Sequence, residues 1–282
     1  MKLNETELRT RLKRRSSARQ SGFRAIRRMT DEGRVPVSAF DWLSLQGGGL
    51  GTTELLLGEV QTARSWFAEG ALAETMVSEL VWQHREVVGE DEWSNLPITA
   101  EHALRDALLS ADPRVVGAAV DEILALDESY LDDYPDMTTR YYHLTSLAHL
   151  LREDTAQART ALASLRDSVE KDNQYLGTYF AQAFADALEG FLDHDEQLVQ
   201  QALDSLTAYH EDVRGGGDGT AELLDHYTCA YLILAHHRGM NVHVDNEYVP
   251  AELYDLEWGS VELPEDTPDA LRDLYENAAP IA

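Results

Sequence analysis

Leu150–Leu165 reads LLREDTAQARTALASL, and Phe191–Leu206 reads FLDHDEQLVQQALDSL, at an offset of 41 residues. Leu151/Leu192, Asp154/Asp195, Ala161/Ala202, Leu162/Leu203, Ser164/Ser205 and Leu165/Leu206 coincide. A third copy, Leu108–Ile123 (LLSADPRVVGAAVDEI), fits at an offset of 42, with Leu108/Leu150, Leu109/Leu151, Asp112/Asp154 and Ala119/Ala161 matched. A leucine pair ends one helix, the chain turns, and an aspartate accepts hydrogen bonds from the free N–H groups of the next. Pro113 follows Asp112 at the first helical position, where its missing N–H costs nothing. Gln157 stands three residues after Asp154, the spacing of a capping box. The small Ala119, Ala161 and Ala202 let paired helices approach closely. Each such hairpin buries one face against a neighbour, so several must stack to make a core.

Outward from these copies, nearly every apolar pattern has helical spacing and no convincing period-2 strand is found. The spacing predicts helices over about 5–30, 52–88, 99–111, 113–127, 137–152, 155–170, 174–192, 195–212, 218–238 and 267–277. Glycine-rich breaks are expected at Gly47–Gly51 and Gly215–Gly219, and a short strand around Val242–Val244. A fainter repeat begins at Leu56, where Gly58-Glu59 leads into Ala63–Phe67. The predicted fold is all-α: stacked antiparallel helical hairpins of tetratricopeptide type in one domain, 1–282, with an irregular C-terminal segment. Within it, 1–34 is a basic helix and 52–238 a hairpin stack with repeats near 99–127, 137–170 and 174–212. Residues 240–282 carry the irregular segment and the last helix.

The chain has 23 Lys+Arg against 51 Asp+Glu, a formal net charge of −28, and only three lysines, Lys2, Lys13 and Lys171. This composition resembles that of cytoplasmic proteins from salt-loving archaea, whose carboxylates keep a surface hydrated where ions screen charge. No run of about 18 apolar residues offers a membrane span. No apolar stretch follows the N-terminal basic residues as in a secretory signal, so a cytoplasmic location is expected. The charge is uneven: residues 1–34 hold 11 Lys/Arg and 4 Asp/Glu, the remainder 12 against 47. Leu8, Leu12, Phe23, Ile26 and Met29 suggest a helix whose basic face docks on the acidic body, a reading preferred to nucleic-acid binding.

Chemistry-bearing motifs are few. Gly47-Gly48-Gly49-Leu50-Gly51-Thr52-Thr53 lacks the strand and the lysine of a phosphate loop, and reads as a turn into a Thr52 or Thr53 helix cap. The adjacent His236 and His237 point about 100° apart on a helix, and His226, His243 and Asp245 do not complete a ligand set, so no metal is expected. Cys229 lies in an apolar run and reads as a buried, inert thiol. No Gly-x-Ser-x-Gly elbow occurs, and no catalytic residues or cofactors are expected. The loop Asp127–Asp136 mixes acids with Tyr130 and Tyr134, and Tyr141 and Tyr142 follow. Tyrosine amid carboxylates offers a rigid protein-binding surface for a basic partner, unless the tyrosines tuck into the core beneath a solvated loop.

The closing segment, Cys229-Ala-Tyr-Leu-Ile-Leu-Ala-His-His-Arg-Gly-Met240 followed by Val242-His-Val-Asp-Asn-Glu-Tyr-Val-Pro-Ala-Glu-Leu253, resembles that of the immunity protein 49 family of polymorphic toxin systems. Arg238-Gly239, the strand-like Val242–Val244 and Tyr248-Val-Pro-Ala-Glu-Leu253 carry the resemblance, which spans roughly the last two thirds of the chain. It implies an all-helical, non-catalytic protein that binds a cognate protein toxin and neutralises it by occlusion. With the tyrosine reading above, the candidate partner-binding residues are Tyr130, Asp132, Asp133, Tyr134, Asp136, Tyr141, Tyr142 and Tyr248. The competing classes are a tetratricopeptide-like scaffold holding a partner peptide and a metal enzyme using His226, His236 or His243.

Overall fold

The computed structural model describes residues 3–171, 178–213 and 223–281. Thirteen α-helices and two short 3-10 turns, with no strand, account for the regular structure among these residues. The chain divides into two compact units, Met1–Glu122 with Trp258–Pro280 and Ile123–Glu257 with Ile281–Ala282.

In the first unit, α1 (Glu5–Asp31), α2 (Val37–Leu56), α3 (Val60–Gln83) and α5 (Leu96–Ser110) pack in succession, and α13 (Asp269–Asn277) returns against α3. The short α4 (Glu90–Ser94) precedes α5, and α6 (Pro113–Ala125) follows it. Asn4 and Glu7 close a capping box at the start of α1, which satisfies two otherwise free N–H groups.

The glycine run did not break the chain. Gly47–Gly51 lies inside α2, and the expected helix 52–88 is two helices joined at Gly58, whose φ is +81°. The reason is contact. A Cβ on Gly47 would stand 2.7 Å from the Gly70 Cα of α3, one on Gly51 2.8 Å from the Phe67 ring, and one on Gly49 2.1 Å from the Arg15 guanidinium of α1. Bare backbone at these positions lets α1 and α3 close on α2, and that packing outweighs the roughly 1 kcal/mol by which each glycine disfavours helix. Thr52 and Thr53 do not cap a helix. Their hydroxyls donate back to Gly48 and Gly49 carbonyls, at 2.9 and 2.7 Å, in the helix interior.

The basic face of α1 also departs from expectation. Its buried residues are Leu8, Arg19, Gly22 and Met29; Arg15 and Arg19 reach the body, whereas Lys13, Arg14, Arg24, Arg27 and Arg28 are exposed. Arg19 is held by Glu69 of α3 at 2.5 and 2.6 Å and by Asp266 at 2.9 Å, between the rings of Phe23 and Trp66.

The second unit contains α7 (Tyr130–Asp133), α8 (Thr138–Leu151), α9 (Thr155–Glu170), α10 (Thr178–Asp193), α11 (Glu196–Val213) and α12 (His226–His237). Helices α8, α9, α10 and α11 pack in sequence and α12 packs on α11, as stacked hairpins require. Ala161 and Ala202 are buried as their spacing implied. The expected break at Gly215–Gly219 lies outside the described residues, as do the beginnings of the helices expected over 174–192 and 218–238.

The repeat is repeated in the backbone. Ala111, Glu153 and His194, one residue before each aligned aspartate, adopt left-handed φ of 50°, 59° and 56°. Each aspartate then caps the next helix, Asp112 accepting from Arg114 and Val115, Asp154 from Gln157, Asp195 from Gln197 and Leu198. Asp154 and Asp195 donate their own N–H groups to the His149 and Gly190 carbonyls, closing a Schellman turn. That use of the Asp154 N–H leaves none for Gln157, so the expected capping box is replaced by a one-sided cap. In the first copy the Ser110 hydroxyl enters the turn, accepting from the Asp112 N–H and donating to Ala107. The faint repeat at Leu56 makes the same turn with Gly58 left-handed and Glu59 donating to the Glu54 carbonyl, though Glu59 supplies no side-chain cap.

Candidate functional site

The loop from Asp127 to Met137 follows α6 and is ordered from within. Asp127 accepts from the Ser129 N–H at 2.9 Å, and hydrogen bonds from the Ser129 side chain and backbone hold its carboxyl below the usual range. Tyr134 N–H closes the single turn of α7 on the Tyr130 carbonyl, a 3-10 turn runs Pro135–Met137, and Thr138 Oγ1 donates to Pro135 at 2.6 Å.

The tyrosines anchor this loop more than they display it. Tyr130 is buried and stacks on the half-buried Tyr134 with ring centroids 4.9 Å apart. Tyr141, on α8, is buried, and its hydroxyl donates to the Leu126 carbonyl at 3.0 Å; burial, with Glu128, Tyr142 and Asp127 nearby, pushes its pKa up to about 12. Tyr142 is half-buried and donates to the Glu128 carboxylate, which raises its pKa first by that bond and then by burial. Asp132, Asp133 and Asp136 are exposed. The sequence alternative in which tyrosines tuck beneath a solvated acidic loop therefore describes Tyr130 and Tyr141, while the carboxylates form the outer face.

Tyr248 does not join this group. It is buried in the closing segment, where its carbonyl accepts from the Asp225 N–H at 3.0 Å and its ring lies 5.0 Å from His210. Asp225 caps α12 through Thr228. The closing segment is held by specific hydrogen bonds. Gly239 ends α12 with φ +73°, and Met240 N–H returns to the Ala235 carbonyl. Val242–Val244 forms no strand, and side chains take its backbone groups. The Gln200 amide of α11 takes both His243 backbone groups, accepting its N–H at 2.8 Å and donating to its carbonyl at 2.7 Å. The Tyr254 hydroxyl does the same for Val244. Leu253, at the end of Tyr248–Leu253, is buried.

Among the described residues no group of three or more His, Cys, Asp or Glu is placed to hold a metal ion. Cys229 is buried, and burial raises its thiol pKa well above the ordinary value. A cluster of buried polar groups in the first unit does more than the sequence pattern announced. Asp112 caps α6 with one carboxylate oxygen, while the other accepts from Val261 N–H at 2.7 Å and Tyr275 hydroxyl at 3.0 Å, tying the C-terminal segment to the α5–α6 turn. Arg64 donates to the Ser110, Ala111 and Gly259 carbonyls at the same place. The aligned aspartate was the only signal available for this junction, and it announced the cap alone. Comparison of the chain with protein-family models, with curated proteins and with solved structures finds no match.

Proposed function

We propose that the chain is a non-catalytic immunity protein that binds a cognate protein toxin in the cytoplasm and neutralises it by occlusion. The observation that carries the reading is the acidic loop: exposed Asp132, Asp133 and Asp136 stand on a turn pinned by the Tyr130–Tyr134 stack and by Tyr141. A preorganised carboxylate face meets a basic partner without first losing loop entropy. The resemblance of 229–253 to the immunity protein 49 family supports the same reading. Tight neutralisation calls for a nanomolar complex, about −12 kcal/mol.

The test is affinity capture on the tagged protein in multimolar KCl, followed by expression of the captured partner alone and together with this chain. A stoichiometric partner that poisons cells and is silenced by co-expression is the expected result. Asp132→Lys combined with Asp133→Lys and Asp136→Lys should abolish silencing; full protection by that variant removes the loop from the interface. A tetratricopeptide-like scaffold is the second reading, favoured by the α8–α11 hairpins, and it expects an extended peptide bound with no rescue of growth.

A further inference from the structure

Arg9–Arg28 of α1 holds nine basic residues and no acidic one; the acids of this helix region stand outside that span, Glu5 and Glu7 before it and Asp31 and Glu32 after it. At about 100° per residue, Lys13, Arg14, Arg24, Arg27 and Arg28 fall within about 140° of the helix circumference. That sector is turned away from Leu8, Arg19, Gly22 and Met29, the residues that α1 buries, and all five cations are exposed. Arg9 shares the sector but is already held by Glu5 at 2.9 Å. Arg24 donates to the Ser21 hydroxyl, and among the described residues none of the five meets a carboxylate. Ser17, Gln20 and Ser21 lie between them, so the sector carries no apolar side chain.

One flank of this face carries an aromatic ring. Trp42 of α2 donates its indole N–H at 3.0 Å to the carbonyl of Ala18, one helical turn beyond Arg14. A Cβ on Gly22 would lie 3.4 Å from the same ring. The indole is thereby fixed against α1, yet Trp42 is 43% exposed and Leu45, three residues further along α2, is 46% exposed. Among the described residues no other ring and no cation packs on Trp42.

We propose that the outer face of α1 and Trp42 bind single-stranded nucleic acid, with phosphates on the five cations and a base stacked on the indole. Charged residues are depleted from the cores of protein–protein interfaces, whereas nucleic-acid interfaces are polar and strongly positive. A sector of cations with no apolar side chain fits the second kind. A duplex hides its base faces and a run of carboxylates has no ring to stack, so the exposed indole selects an unpaired strand. Outside residues 1–34 the chain holds 12 basic and 47 acidic residues, which repel a strand at long range. Salt confines that repulsion to about 10 Å at 0.1 M and about 3 Å at 1 M, while stacking is not screened. The inference does not depend on the immunity reading, since the acidic loop of that reading belongs to the other unit.

The test is fluorescence anisotropy on the full chain with labelled decathymidylate, decauridylate, a duplex of the same length and decaglutamate. Each is titrated over the KCl range in which circular dichroism shows the native helix content, and the same check is made on every variant. A single strand should bind more tightly than the duplex or the peptide, and the two strands show whether ribose or deoxyribose is preferred. The logarithm of its affinity should fall with log[KCl] at a slope of roughly −0.7 for each phosphate contacted. Trp42→Leu should weaken binding at least about fivefold at unchanged slope, and Trp42→Phe should restore most of it. Arg14→Gln with Arg28→Gln should weaken binding and make the slope shallower by roughly 1.4. Duplex or decaglutamate binding as tight as that of the strands, no binding of either strand, a Trp42→Leu variant that binds like the native chain, or a slope unmoved by the arginine changes overturns the proposal. Loss of toxin protection in a Lys-substituted acidic loop, with Trp42-dependent strand binding intact, separates this site from the one in the other unit.

Discussion

At the residue scale, the fold carries a cost that the composition conceals. Glu74 of α3 is buried, with the Ser44 hydroxyl and Arg105 favouring its charge and Asp41 and Asp106 opposing it; burial dominates and raises its pKa from 4.5 to about 8. Glu122 is raised to about 7 and Asp225 to about 6, both chiefly by burial. A folded-state carboxyl with a raised pKa holds a proton that the unfolded chain has already released. Stability from such a group is present below the unfolded value and declines as pH climbs toward the folded one. For Glu74 the window runs from 4.5 to about 8, with a limiting slope of about 1.4 kcal/mol per pH unit. Glu74→Gln cannot titrate, so the stability advantage of the native chain over this variant should shrink by a few kcal/mol between about pH 5 and about pH 8. Urea midpoints of both proteins at fixed KCl measure it; a constant difference would mean that Glu74 is ionised throughout. Nothing in the sequence marked Glu74 among 51 acids, because burial depends on which helices meet over it.

At the element scale, the hairpin turn was half legible. The aspartates were readable because a cap is chemistry of one side chain at one position. The residue before each was not, since Ala111, Glu153 and His194 lack the glycine that ordinarily announces a left-handed φ. An L-residue there costs roughly 1 kcal/mol. Glu153→Gly and His194→Gly should therefore each stabilise the protein by about 0.5–1 kcal/mol, while Asp154→Ala should cost about 1 kcal/mol through loss of the cap. Chemical denaturation of the three variants gives the signs directly, and a destabilising Glu153→Gly would show that the glutamate side chain contributes more than its backbone strain removes. Gly47–Gly51 failed in the opposite sense. Glycine in isolation signals a break, and only the approach of Gly70, Phe67 and Arg15 turns it into a helix–helix contact. Val242–Val244 failed for a similar reason: a short strand was anticipated, but the backbone partner at His243 is the amide of Gln200, 43 residues earlier. For the acidic loop, the residue types were legible and their burial was not, because Tyr130 and Tyr141 find their places only when α8 packs beside the loop.

At the scale of the whole molecule, composition stated the charge but not what holds against it. With 51 acidic and 23 basic side chains, self-repulsion opposes the compact state, and it fades as the screening length falls from about 10 Å at 0.1 M salt to about 3 Å at 1 M. Screening weakens attraction as well, and α1 is the element with most to lose, because it alone concentrates positive charge. Its anchor is exempt: the side chains of Arg19 and Glu69 are 4% and 0% exposed, so salt water does not reach between them. The two effects therefore have different salt dependence, and the thermal midpoint should rise steeply with KCl up to roughly 1 M and flatten above it, with α1 protected from hydrogen exchange throughout. If screening is the cause, tetramethylammonium chloride at equal ionic strength should reproduce the rise. A midpoint that keeps climbing through multimolar KCl, and responds to potassium alone, would instead assign the acidic surface to ion and water binding. In that case the charge on the Asp127–Asp136 loop would belong to the same hydration layer as the other exposed acids, and its affinity for a partner would have to come from Tyr134 and the backbone it stiffens.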